Sequence, residues 1–192
     1  ELISQFGIRI IPLYIVKGDK AYKDTLEIRP EDIFEWVDGG NGVCSTSAVN
    51  TADYIDFFSS LRSECDAVIH FTISSDMSVC YANACLAAEE VDNVYVVDSR
   101  NLSTGIGNLV LDAAAMAMEG THSAEDIYNT IVAETGLPET SFIIDKLDYL
   151  AKGGRCSSLA AFGANLLNLK PCIEVVDGKM SVGKKYRGNF DK

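Results

Sequence analysis

Blocks of apolar, β-branched residues alternate with helical stripes through most of this chain. Ile8 to Val16 is apolar and predicts a strand. Arg29-Pro30-Glu31-Asp32 predicts a helix start, with proline and two acids where free amides favour them. Asn50 or Thr51 is placed to cap the next helix, on which Tyr54, Phe57, Phe58 and Leu61 make one apolar face at helical spacing. A strand is expected over Ala67 to Ile73, a helix over Ser78 to Glu90 and a strand over Asn93 to Val97. An alanine- and methionine-rich helix is expected from Thr104 to Glu119, then one from Ala124 to Glu134 capped by Ser123. Phe142 to Ile144 reads as a short buried strand, and Leu159 to Leu169 as a helix capped by Ser157 or Ser158. Asp177-Gly178, between Pro171–Val176 and Lys179–Lys185, is a strong hairpin signal.

Apolar strands separated by helices imply an α/β fold with a mostly parallel sheet flanked by helices. In such sheets ligands bind beyond the carboxyl ends of the strands, so the polar segments there become the candidate site. Three stand out: Cys44-Ser45-Thr46-Ser47, Thr72 to Ser78, and Asp98 to Thr104. One helix needs one cap, and Ser74, Ser75 and Ser78 exceed that need, so hydroxyls and free amides there suit a carboxylate or phosphate. Acid–base chemistry is poorly provided for. His70 lies within a strand and reads as a core histidine, and His122 sits in a loop. No glycine fingerprint precedes Asp98, which removes a ribose-binding reading.

The run Leu147 to Ser158 adds two glycines, Gly153 and Gly154, and Arg155 just before a helix start, a combination that favours an anion. The net charge of −12 argues against nucleic acid. No apolar run approaches the roughly 20 residues that span a bilayer, so stable membrane insertion is not expected. Six scattered cysteines without a C-x-x-C pair, and only two histidines, make a metal site unexpected. They read mostly as small buried residues in a reducing cytoplasm.

With these segments in order, the chain resembles the DegV family of bacterial fatty-acid-binding proteins. Thr46-Ser47-Ala48-Val49-Asn50 stands where the family has Thr-Ser-Gln-Pro-Ser, and Ile73 to Tyr81 where it has Ile-Ser-Ser-Gly-Leu-Ser-Gly-Thr-Tyr. Val97-Asp98-Ser99, Leu147 to Arg155, Leu166-Leu167-Asn168-Leu169-Lys170-Pro171, Asp177-Gly178-Lys179 and Lys185-Tyr186-Arg187 continue the series. The resemblance implies a non-enzymatic lipid carrier that needs no cofactor. A long-chain fatty acid would lie in an apolar cavity, its carboxylate held by Thr46 and Ser78, with Ser45, Ser47, Ser74 or Ser75 assisting. Gly153, Gly154, Arg155 and Arg187 would serve the head group and the docking of the partner, a fatty acid kinase that makes the acyl phosphate.

It also implies an acyl-binding domain over 1–145, lacking the family's first strand, and the opening of a second, truncated domain over 146–192. The chain departs from the family at Ala48, Val49, Asp76, Val79 and Cys80. A carboxylate at Asp76 would repel a fatty-acid head unless it is turned away. Two other readings are a hydrolase or phosphotransferase with Ser74, Ser75 or Cys80 as nucleophile, which lacks a base, and a ligand-free protein-interaction domain.

Overall fold

The computed structural model describes residues 1–144, 150, 156 and 169–188. Helices and strands form a mixed α/β architecture in the order α1 (Leu2–Gln5), β1 (Tyr14–Lys17), β2 (Lys20–Lys23), α2 (Pro30–Asp38), β3 (Ser45–Ser47), α3 (Thr51–Arg62), β4 (Val68–Thr72), α4 (Cys80–Ala88), β5 (Val94–Asp98), α5 (Ser103–Glu119), α6 (Ala124–Glu134), β6 (Thr140–Ile143), β7 (Leu169–Val176) and β8 (Lys179–Arg187). The predicted caps are in place: Asn50 Oδ1 accepts from Asp53 N at 2.9 Å, and Ser123 Oγ from Asp126 N at 3.1 Å. The helix over 159–169 lies outside the described residues, apart from Leu169, which belongs to β7.

Among the described residues, β4 and β5 pair in parallel, with Val68 N donating to Asn93 O and Ser99 N to Thr72 O, and one isolated parallel bridge joins Asp24 and Ile28. The other two sheets, β2-β1-β3 and β6-β7-β8, have antiparallel ladders. For β1–β2 and β7–β8 the reason is connection length, because two-residue turns return the chain at once whereas a parallel neighbour needs a crossover such as α4. One such turn, Gly18-Asp19, makes a β1–β2 hairpin inside what the hydrophobic pattern reads as a single strand and its exit. Pairing starts only at Tyr14, two residues after Pro12, which has no amide to donate. Ser45–Ser47 is likewise a strand in its own right, paired to β1 with Ile15 opposite Thr46.

The chain divides into two compact units, 1–69 with 82–96, and 70–81 with 97–192. In the first, Tyr54 and Phe58 are buried and stacked with ring centroids 5.5 Å apart, which is the aromatic face predicted for α3. Tyr14 Oη donates to Asp53 Oδ2 at 2.6 Å and Asn50 Nδ2 donates to the same oxygen at 2.9 Å, bracing β1 against the start of α3. The Asp53 carboxylate raises the Tyr14 pKa, because losing the proton would forfeit that bond. In the second unit, Leu109, Ala113, Ile127 and Ile131 are buried on α5 and α6, and Ile173 on β7 packs with Cys156, Phe142, Leu150, Met180 and Val182.

Candidate functional site

The hydroxyl loop after β4 is organised by one buried serine. Ser74 is fully buried; its amide donates to Asn101 O at 2.9 Å and its hydroxyl to Gly178 O at 2.7 Å. Its oxygens then receive the amides of Asp76, Met77 and Ser78, which coils the loop toward α4. Ser75 is exposed, and both its amide and its hydroxyl donate to the Asp98 carboxylate, at 3.0 and 2.5 Å. Ser78 is half-buried; its oxygen accepts from Cys80 N, at the first residue of α4, at 3.2 Å, and its hydroxyl sits 3.1 Å from Cys80 Sγ. A thiol is a weak acceptor, so the Ser78 hydroxyl has the least committed proton of the three.

Asp76 is paired with two cationic side chains. Arg100 Nη1 lies 2.6 Å from Asp76 Oδ2 and 3.8 Å from Asp98 Oδ2, and Lys179 Nζ lies 3.4 Å from Asp76 Oδ1. The Arg100 Nη2 group donates to the carbonyl of Asp177 in the β7–β8 turn. The Arg100 hydrogen bond, with Lys179 beside it, holds the Asp76 carboxyl below its usual range. The turn itself has φ of 50° at Asp177 and 79° at Gly178, the left-handed region. A side chain at Gly178 would strike Arg100 Cζ at 2.6 Å and Ser74 Oγ at 2.7 Å, so only glycine lets the turn close on this cluster. Three segments distant in sequence thus meet here: the hydroxyl loop, the exit of β5 and the β7–β8 turn. The hydrophobic pattern alone does not single out Arg100 or Lys179. The signal available is an acid at 76 that needs a counter-charge, and an arginine at the exit of the next strand.

Ser45, Thr46 and Ser47 belong to the other compact unit, all three exposed on β3. Arg187 is exposed near the end of β8, opposite Leu169. Gly153, Gly154 and Arg155 lie outside the described residues. At the start of α5 a pocket of about 270 Å³ is lined by Leu102, Ser103, Thr104, Thr140, Ser141 and Phe142. Cys80, Cys156 and Cys172 are buried, whereas Cys65 is exposed. No cluster of potential metal ligands occurs among the described residues, and no described helix is long and apolar enough to cross a membrane.

His70, on β4, is half-buried, with its Nε2 shielded from solvent, and desolvation lowers its pKa to about 4. The folded state therefore resists protonation that the unfolded chain accepts near 6.5. Stability is expected to be independent of this group above about pH 6.5 and to fall between there and pH 4, by at most about 3 kcal/mol. Urea titrations from pH 7.5 to 4 check this, with His70→Gln expected to flatten the part of the slope that His70 contributes.

The family model for DegV, described as an uncharacterised protein family, matches residues 1–191. The chain belongs to the DegV family. It is 36% identical over 190 residues to a DegV domain-containing protein of Clostridium acetobutylicum, covering 98% of this chain and 68% of that one. Among solved structures it resembles a fatty-acid-binding DegV protein of Thermus thermophilus, with TM-score 0.87 and 31% identity over 97% of this chain and 67% of that one. A stearic-acid-binding protein of Eubacterium ventriosum follows at TM-score 0.85 and 26% identity, covering 98% and 67%. The α/β fold expected from the DegV resemblance is therefore the fold of the family's solved members.

Proposed function

We propose that the chain binds a long-chain fatty acid and presents its carboxylate to a fatty acid kinase for conversion to the acyl phosphate. The observation that carries this is whole-chain similarity in sequence and fold to DegV structures described as fatty-acid binding. Thr46 and Ser78 are the proposed carboxylate donors, assisted by Ser45 and Ser47. Ser74 and Ser75 spend their hydroxyls on Gly178 and Asp98, so their part is to hold the loop. Arg155, with Gly153 and Gly154, and the exposed Arg187 are assigned to the head group and to kinase docking. A fixed guanidinium charge suits an acyl phosphate. Each buried methylene contributes about 0.8 kcal/mol, so the tail supplies affinity and the hydroxyls supply orientation.

Native mass spectrometry of the chain with palmitate and stearate tests the reading, with one bound fatty acid per chain as the expected result. Ser78→Ala and Thr46→Ala are each expected to weaken binding roughly tenfold, the worth of a hydrogen bond to a charged group. Arg155→Ala is expected to retain lipid but slow its phosphorylation by the kinase. Absence of any bound fatty acid in the unmodified chain would overturn the proposal.

A further inference from the structure

We infer that Asp76, Arg100 and Lys179 form a positioning clamp that fixes the hydroxyl loop for carboxylate binding, an inference that rests on the fatty-acid reading above. Arg100 is the hub. Its two Nη groups reach Asp76 in the hydroxyl loop and the Asp177 carbonyl in the β7–β8 turn, while its own amide donates to Asp98 Oδ1 at 3.1 Å. Asp98 in turn takes the amide and hydroxyl of Ser75. Lys179 closes the ring from the far side of the turn at 3.4 Å from Asp76. Arg100 adopts φ of 51°, an uncommon conformation for a side-chain-bearing residue, which these contacts hold in place.

Magnitudes separate positioning from stability. The Arg100 and Asp76 side chains are 37% and 28% exposed, and ion pairs at such exposure typically add little to folding because water screens them. The clamp thus contributes little to holding the fold up. What it fixes is geometry: Asp76 is two residues from Ser78, and the loop between Ser74 and Ser78 has its two ends set by Gly178 O and by the start of α4. A hydroxyl displaced by about an ångström from its best position loses most of a directional hydrogen bond. Asp76 therefore acts on a carboxylate ligand through the loop, and its own charge is neutralised by two cations rather than presented to the ligand.

Charge and positioning make opposite predictions. Asp76→Ala removes a negative charge, which by electrostatics alone would strengthen the binding of a fatty-acid carboxylate. Arg100→Ala removes a positive charge and would weaken it. The clamp requires both to weaken binding. Palmitate affinity should fall about tenfold in each variant, the double variant should be no weaker than the weaker single one, and hexadecanol affinity should change less than about twofold. Opposite signs in the two variants, unchanged palmitate affinity, or equal losses for palmitate and hexadecanol would each overturn the clamp. If an alanine variant fails to fold, Asp76→Asn and Arg100→Lys decide by the same ratio of palmitate to hexadecanol affinity. If the unmodified chain binds no palmitate, the fatty-acid reading fails and the clamp falls with it. If it binds and the variants match it, the clamp alone fails.

Discussion

Gly105→Val is expected to destabilise the chain by about 4 kcal/mol. Gly105 is buried in the first turn of α5, and even a single added Cβ would lie 2.3 Å from both Asn101 Oδ1 and Thr140 Oγ1. Neither neighbour can retreat cheaply. Asn101 is buried, its Oδ1 accepts from Leu102 N at 3.0 Å and its Nδ2 donates to Pro138 O at 3.0 Å. Thr140 is buried at the start of β6. Overpacking costs about 1–3 kcal/mol, and stripping a buried polar group of its partner adds a similar amount. Substituting alanine at an exposed helical glycine would instead stabilise by up to about 1 kcal/mol, so the sign of the Gly105→Ala effect checks the mechanism. Thermal unfolding of both variants reads it, and a Gly105→Ala protein at least as stable as the parent would contradict the geometry.

The second large effect is expected in the other compact unit. Phe58 has no exposed surface and stacks on Tyr54, with Phe57 at 6.1 Å. Phe58→Ala removes a whole ring from a site that backbone relaxation refills only in part, at a typical cost of about 3–5 kcal/mol. Chemical denaturation should show the midpoint falling with little change in slope. Phe57→Ala, on the half-buried edge of the same helix, is the internal comparison and should cost clearly less.

The α3 face is the part of the fold most legible in the sequence. Tyr54, Phe57, Phe58 and Leu61 recur at helical spacing because one side of the helix must leave water, and that requirement is local enough to be written in the residue pattern. Capping is equally local, so Asn50 and Ser123 are legible as well. The hairpin at Asp177-Gly178 follows from turn chemistry. Its counterpart at Gly18-Asp19 is hidden, because the apolar run Ile8 to Val16 masks the point where pairing begins. The hydroxyl loop is visible as an excess of serines over what a cap needs. Which serine does what is not visible, since Ser74, Ser75 and Ser78 differ only in partners supplied by Gly178, Asp98 and Cys80. Arg100 is obscure for the same reason: its meaning comes from Asp76 and Asp177, 24 and 77 positions away.

The bond from the Ser74 hydroxyl to the carbonyl of Gly178 spans 104 positions of sequence. Closing a loop of that length is an entropically late event, since nothing local rewards it until the partners are already near. A chain emerging from the ribosome has made helices α1 to α6 well before residue 178 exists. Its hydroxyl loop cannot reach final form until the β7–β8 hairpin has been made and has folded back. The final shape of the loop is thereby timed by the β7–β8 hairpin, and a chain not yet synthesised as far as Gly178 lacks the bond that anchors Ser74.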